Sequence, residues 1–162
     1  MDELADQQVG APVLTVDPPS EVLPGRLWIA GSPVAPEFVA EHGITAVVDV
    51  ADADSPTDPD QLGRAGVRFY RKEPLVDDAE RLPDLDLVEE LVDVLVDAVG
   101  EGHRALVCCS YGRNRSGLVA ALTVRALLAV PGAEALRLLR ARRRRAVNNP
   151  AFAAHVTALP AP

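Results

Sequence analysis

The sequence predicts an α/β domain: a mostly parallel central sheet of four to five strands with helices on both faces. Three observations carry this. Short β-rich runs alternate with helical segments along the chain. Two of the runs, Ile44 to Val50 and Ala105 to Cys108, are almost continuously apolar, the mark of a strand buried on both faces, as in parallel sheets. And 162 residues, 48% hydrophobic and 25% charged, amount to one globular domain rather than a disordered, collagen-like or coiled-coil chain.

Residues 1–20, with Asp17-Pro18-Pro19 near their end, lack periodicity and read as an extended lead-in to a single domain over 21–162. Arg26 to Ala30 is the first strand, ended by Gly31, and Pro36 to Glu41 is a short helix stopped by Gly43. Ile44 to Val50 is the second strand. The Asp/Pro-rich stretch Asp52 to Asp60 is loop, Gln61 to Ala65 a short helix, and Val67 to Arg71 the third strand. Pro83 opens the clearest helix, with Leu87, Val88, Leu91, Val94, Leu95 and Ala98 on one stripe and Gly100 and Gly102 at its end. Ala105 to Cys108 is the fourth strand. A glycine-containing turn leads to an apolar helix, Ser116 to Val130, and after Pro131-Gly132 the last long helix spans Ala133 to Arg145.

The charge is uneven. Residues 1–100 hold 22 acidic and 6 basic side chains, −16, and residues 101–162 hold 2 and 10, +8, for a net −8. That balance disfavours nucleic acid as a partner. Arg137, Arg140 and Arg142 to Arg145 read either as a solvated helix end favourable to the macrodipole or as a face for an acidic partner. The longest apolar stretch, Gly117 to Val130, is too short for a membrane span and carries Arg125, and the first residues lack the basic and apolar regions of a signal peptide. A cytoplasmic monomer without membrane association is the expectation. The two cysteines, Cys108 and Cys109, are adjacent and build no disulfide framework, and His42, His103 and His155 have no metal-ligand spacing with them. No metal or cofactor is expected.

In open α/β sheets the ligand site lies beyond the carboxyl ends of the strands. After the fourth strand comes Cys109-Ser110-Tyr111-Gly112-Arg113-Asn114-Arg115-Ser116, a C-x5-R spacing with Gly three positions after Cys and Ser directly after Arg. Between a buried strand and a helix N-terminus, successive backbone N–H groups form a concave nest for an anion. A cysteine at its mouth has its thiolate stabilised by the same field and becomes a nucleophile. Arg115 supplies a planar fork for two phosphate oxygens. Gly112 permits the tight turn, and Ser116 donates its hydroxyl to the sulfur as that sulfur departs. Ser110, Tyr111, Gly112, Arg113, Asn114 and Arg115 are the candidate phosphate-binding residues. Cys108 completes the apolar strand, with its side chain opposite to that of Cys109.

The segment resembles the signature loop of the cysteine-based protein tyrosine phosphatases, specifically the dual-specificity branch, whose pattern is HC-x2-G-x2-R-S/T. The likeness runs from about Leu23 to Leu159. Leu27 to Ser32 is similar to the family's opening strand, His42 to Val48 to the stretch that follows, and Ala133 to Phe152, with Asn149-Pro150-Ala151-Phe152, to its closing helix and the segment after it. The resemblance implies a metal-independent hydrolase of phosphate monoesters. Its substrate would be phosphotyrosine and possibly phosphoserine or phosphothreonine on a protein, handled through a phosphocysteine on Cys109. It also implies an aspartic acid on a loop about thirty residues before the nucleophile, as general acid and then base. Asp77 and Asp78 both qualify; Asp77, directly after Pro74-Leu75-Val76, is preferred, with Asp78 the alternate. One position departs from the pattern: Cys108 stands where the family has His, and a thiol does not replace the imidazole's hydrogen bonds. Two other readings stay open. One is a phosphatase-fold module that binds anions or phosphoproteins without turnover. The other is the same chemistry on a phosphoinositide or an RNA 5′-phosphate, with Arg113 adding charge to the loop.

Overall fold

The computed structural model describes residues 17–162. Five strands form one sheet: β1 (Ser20–Leu23), β2 (Leu27–Gly31), β3 (Ala46–Asp49), β4 (Phe69–Lys72) and β5 (Ala105–Cys109), in the order β1-β2-β5-β3-β4. β1 is antiparallel to β2, and every other pair is parallel. The helices are α1 (Pro36–His42), α2 (Pro59–Arg64), α3 (Leu85–Gly100), α4 (Arg115–Leu128), α5 (Gly132–Arg142) and α6 (Pro150–Ala158).

The central strand β5 is buried at every position and sorts its side chains by alternation. Ala105, Val107 and Cys109 join the core under α3, α4, α5 and α6. Leu106 and Cys108 join a smaller core with Trp28, Val39 of α1 and Leu62 of α2. Helices thus cover both faces, as the apolar runs predict. No single helix among the described residues is long and apolar enough to cross a membrane.

Several boundaries differ from expectation, each for a local reason. α3 starts at Leu85, not Pro83, because Asp84 accepts from Asp86 N at 3.0 Å and Leu87 N at 3.3 Å and so caps the first turn. The expected stripe holds at Val88, Leu91, Leu95 and Ala98, while Val92 is buried more fully than Leu87 and Val94. α5 ends at Arg142 instead of Arg145, and α6 follows as a separate helix. Asn149 caps α6 by accepting from Ala151 N at 2.9 Å and Phe152 N at 3.2 Å, and Pro150 takes its first position. β1 lies in a segment with no sequence signal of its own. It pairs at the edge from Ser20, one residue inside the expected lead-in.

The arginine run divides into exposed members, Arg137, Arg140, Arg142, Arg144 and Arg145, and one buried member, Arg143. Arg137 pairs with Glu134 on its own helix, and Arg140 donates to Ala146 O at 3.1 Å and Val147 O at 2.7 Å. Arg143 is 3% exposed. Burial lowers its guanidinium from the usual value, with Asp17 acting in the opposite direction.

Candidate active site

Cys109 ends β5, and the chain turns through residues 110–114 before α4 begins at Arg115. Four carbonyls of this turn are held by fixed donors around its outside. Ser110 O accepts from Ser32 N at 3.2 Å, Arg113 O from Val147 N at 2.8 Å and Asn114 O from Leu118 N at 2.8 Å. Gly112 O accepts from Arg143 Nε at 2.5 Å. A peptide's N–H points away from its carbonyl, so carbonyls pinned outward leave N–H groups for the concave side, as an anion nest requires.

Gly112 is required twice over. Its φ is +67°, a conformation open to glycine at little cost, and a Cβ there would stand 2.5 Å from Arg143 Nη2 and 2.6 Å from the backbone of Ala30 and Gly31. Behind the loop, Val147 has φ +57°, which is strained for a β-branched residue. Its N–H is the donor to Arg113 O and its carbonyl accepts from Arg140, so the strained residue supports the loop on one side and is held on the other.

The Cys109 sulfur lies 3.0 Å from Ser116 Oγ, and Ser116 is fully buried in the first turn of α4. Arg115, 8% exposed, is fixed from two directions. Nη1 donates to Asp52 Oδ1 at 2.8 Å and to Leu75 O at 3.4 Å, and Nη2 donates to Ser110 Oγ at 2.9 Å. Its Nε is buried with no partner. Buried donors are almost always satisfied, so an orphan at the mouth of a nest marks a place for an anion's oxygen.

Asp77 and Asp78 separate here. Asp77 Oδ2 accepts from Asn114 Nδ2 at 3.1 Å and Oδ1 from Asn149 Nδ2 at 2.7 Å. It lines a cavity of about 100 Å³ with Cys109, Arg113, Asn114 and Arg115. Asp78 Oδ1 instead accepts from Glu80 N at 2.8 Å, a local turn, and Asp78 is not among that cavity's lining residues. Asn149 organises the neighbourhood: besides capping α6, it donates to Asp77 and to Asp78 O, and its N–H donates to Asn114 Oδ1 at 2.9 Å. Of the remaining loop residues, Tyr111 is 42% exposed at the rim, its ring centroid 5.8 Å from the Arg113 guanidinium carbon.

Cys108 faces the other way, into a buried polar cluster. Asp49, fully buried, accepts from Tyr70 Oη at 2.6 Å and Ala51 N at 3.0 Å and pairs with Lys72 at 3.2 Å. Burial first, and then Asp49, push the Cys108 thiol well above its ordinary pKa. The same two causes raise the Tyr70 phenol.

Sequence reasoning brought Cys109, Arg115, Ser116 and Asp77 to one place but missed Asn149, Asp52, Asp49 and Arg143. Only Asn149 carried a usable signal, since Asn followed by Pro reads as a helix start.

No protein-family model and no curated protein matches the chain. Solved structures do. A mouse protein assigned as a dual specificity phosphatase is 26% identical with a TM-score of 0.71, over 91% of this chain and 89% of that one. Human DUSP28 is 26% identical with a TM-score of 0.72, over 88% and 92%. Tk-PTP in its active form, 23% identical with a TM-score of 0.70 over 88% and 95%, shares the fold. The sheet order and the strand, loop and helix that carry Cys109 are similar to those of these neighbours, which supports the resemblance to the dual-specificity branch of the cysteine-based protein tyrosine phosphatase superfamily.

Proposed function

We propose that the protein is a phosphatase that hydrolyses phosphate monoesters through a phosphocysteine on Cys109. The observation that carries this reading is the convergence on one small cavity of the Cys109 sulfur, the unpartnered Nε of Arg115 and a doubly held Asp77 carboxylate. Solved neighbours named as phosphatases support the same class of reaction.

The substrate phosphate sits in the nest, with the inward N–H groups and Arg115 on its non-bridging oxygens. The Cys109 thiolate attacks phosphorus, the bond from phosphorus to the leaving oxygen breaks, and the Asp77 carboxyl gives that oxygen its proton. Water then attacks the phosphocysteine and Asp77, now a carboxylate, takes the water's proton. The S–P bond breaks with its electron pair returning to sulfur, where the Ser116 hydroxyl, 3.0 Å away, donates to the re-formed thiolate. Asp52 and Ser110 keep the Arg115 fork in one orientation, and Asn114 and Asn149 keep Asp77 over the cavity. Every part of this chemistry is drawn from the chain's own backbone N–H groups and side chains, and the proposed steps call on no metal or cofactor. The substrate class proposed is phosphotyrosine, with phosphoserine and phosphothreonine, on a protein.

The test is turnover of an aryl phosphate. It should resist chelator and disappear in Cys109→Ser. A wild type that binds phosphate without any turnover would replace this reading with a binding module.

A further inference from the structure

The cationic rim next to the cavity already carries an anion, and that anion belongs to the chain. Arg113, which lines the cavity beside Cys109, donates to the Asp17 carboxylate from Nε at 3.3 Å and from Nη2 at 3.4 Å. Arg145 Nη1 stands 3.9 Å from the same carboxylate. The placement is built in. Buried Arg143 donates through Nη1 to Pro18 O at 2.6 Å and Ser20 Oγ at 2.9 Å, and through Nη2 to Asp17 O at 3.4 Å, while its Nε holds Gly112 O. One guanidinium therefore fixes both the backbone that carries Asp17 and the loop that carries Arg113. Beyond the pair lies a shallow cavity of about 230 Å³, lined by Asp17, Ser20 and Arg142 to Arg145.

We infer that Asp17 is a specificity-determining residue, whose carboxylate holds the place on Arg113 and Arg145 that a second phosphate of a substrate would take. The choice of phosphate-bearing ligands rests on the function proposed above. The Arg113 and Asp17 side chains are only 13% and 26% exposed, so the charges meet where water screens them less than at an open surface. A ligand with one phosphate leaves the pair intact. A ligand with a second phosphate beside the first must displace Asp17 from Arg113 and Arg145, and discrimination then comes from the carboxylate's prior hold on these arginines. This runs against the expectation that Arg113 marks a polyanionic substrate: its charge is already matched within the chain.

The test needs no turnover. Inorganic phosphate, pyrophosphate and tripolyphosphate are titrated calorimetrically into the wild type, Asp17→Asn and Asp17→Ala. The contacts of Arg143 in this segment are to backbone atoms of residues 17 and 18 and to Ser20, so both variants keep them, and thermal unfolding checks that they do. The affinity ratio of pyrophosphate or tripolyphosphate to phosphate should rise by about three- to tenfold in both variants. Adding Arg145→Ala to Asp17→Asn should remove the gain. A ratio unchanged within twofold, or a gain that survives loss of Arg145, overturns the inference whether or not the protein turns over. An altered ratio in a protein without turnover overturns the phosphatase reading alone.

Discussion

Cys108 and Cys109 are neighbours in the chain and face opposite sides of one strand, and the two sides are built for different ends. On the Cys109 side the strand runs out into a turn whose carbonyls are held outward, a serine hydroxyl meets the sulfur, and an arginine donor is left without a partner. On the Cys108 side the polar groups are satisfied among themselves: Asp49 is matched by Tyr70, Lys72 and a backbone N–H, and nothing there opens on the cavity. The Cys109 side keeps a buried donor without a partner on a residue that lines a cavity, whereas the polar cluster on the Cys108 side is closed. The same side chain one residue apart therefore meets two different surroundings, separated by strand alternation.

The sharpest way to break this comparison is to exchange each thiol for a hydroxyl. Cys109→Ser should lose turnover while still binding phosphate or vanadate, because the nest is unchanged and the hydroxyl is a far poorer nucleophile at neutral pH. Cys108→Ser should fold and keep most of the turnover; if the effects are reversed, the nucleophile is on the other face.

Next in size is the acid. Asp77→Asn should lower kcat by about 10²–10⁴ for an alkyl phosphate and much less for an activated aryl phosphate, whose leaving oxygen needs no proton. Asp78→Asn, whose amide oxygen still accepts from Glu80 N, should move neither. Equal losses with both leaving groups would instead show Asp77 holding the loop through Asn114 and Asn149.

Arg115→Lys should cost about 10²–10³ in kcat, since a point charge restores neither the Asp52 and Ser110 contacts together nor the free donor on the cavity. A change confined to KM would mean that the fork grips substrate and transition state equally.

The smallest effect belongs to the closed side and appears in stability. Cys108 is held protonated in the native state well above the ordinary thiol value of 9.0. The unfolded chain releases this proton first, so above pH 9 the unfolded state binds fewer protons and native stability falls as pH rises. Its contribution is complete below about 9 and is lost as pH climbs through the raised native value. Cys108→Val should therefore flatten the decline of Tm above pH 9, with Tyr70, whose phenol is raised in the same sense, contributing to the slope that remains. An unchanged slope would mean that the thiol ionises alike in both states.

What could be read from the sequence divides along the line between local and long-range causes. The buried strand Ala105 to Cys108, the turn and the helix after it follow from a contiguous pattern, and Gly112 was legible because the backbone of that turn demands it, whereas its crowding by Arg143, Ala30 and Gly31 was not. α1 and the stripe of α3 were legible for the same reason. β1 was not, since Ser20 to Leu23 becomes a strand only by pairing with β2. Arg143 read as part of a charged helix end, because its acceptors stand 31, 123 and 125 positions away along the chain. Asn149 lay between: its helix cap is local, its grip on Asp77 is not.

Arg143 also bears on where this domain begins. A chain trimmed to start at Ser20 would keep all five strands and every residue lining the catalytic cavity, and by inspection of the sheet it would be whole. It would nevertheless strip two carbonyl acceptors from a guanidinium that is 3% exposed, leaving it Ser20 Oγ and the Gly112 carbonyl. The free energy lost on trimming would then surface in the signature turn, about ninety residues downstream of the cut, as weaker phosphate affinity before any visible change in secondary structure. A boundary drawn between Asp17 and Ser20 acts on the signature turn through Arg143, and the unit that holds this turn extends past the edge of its own sheet.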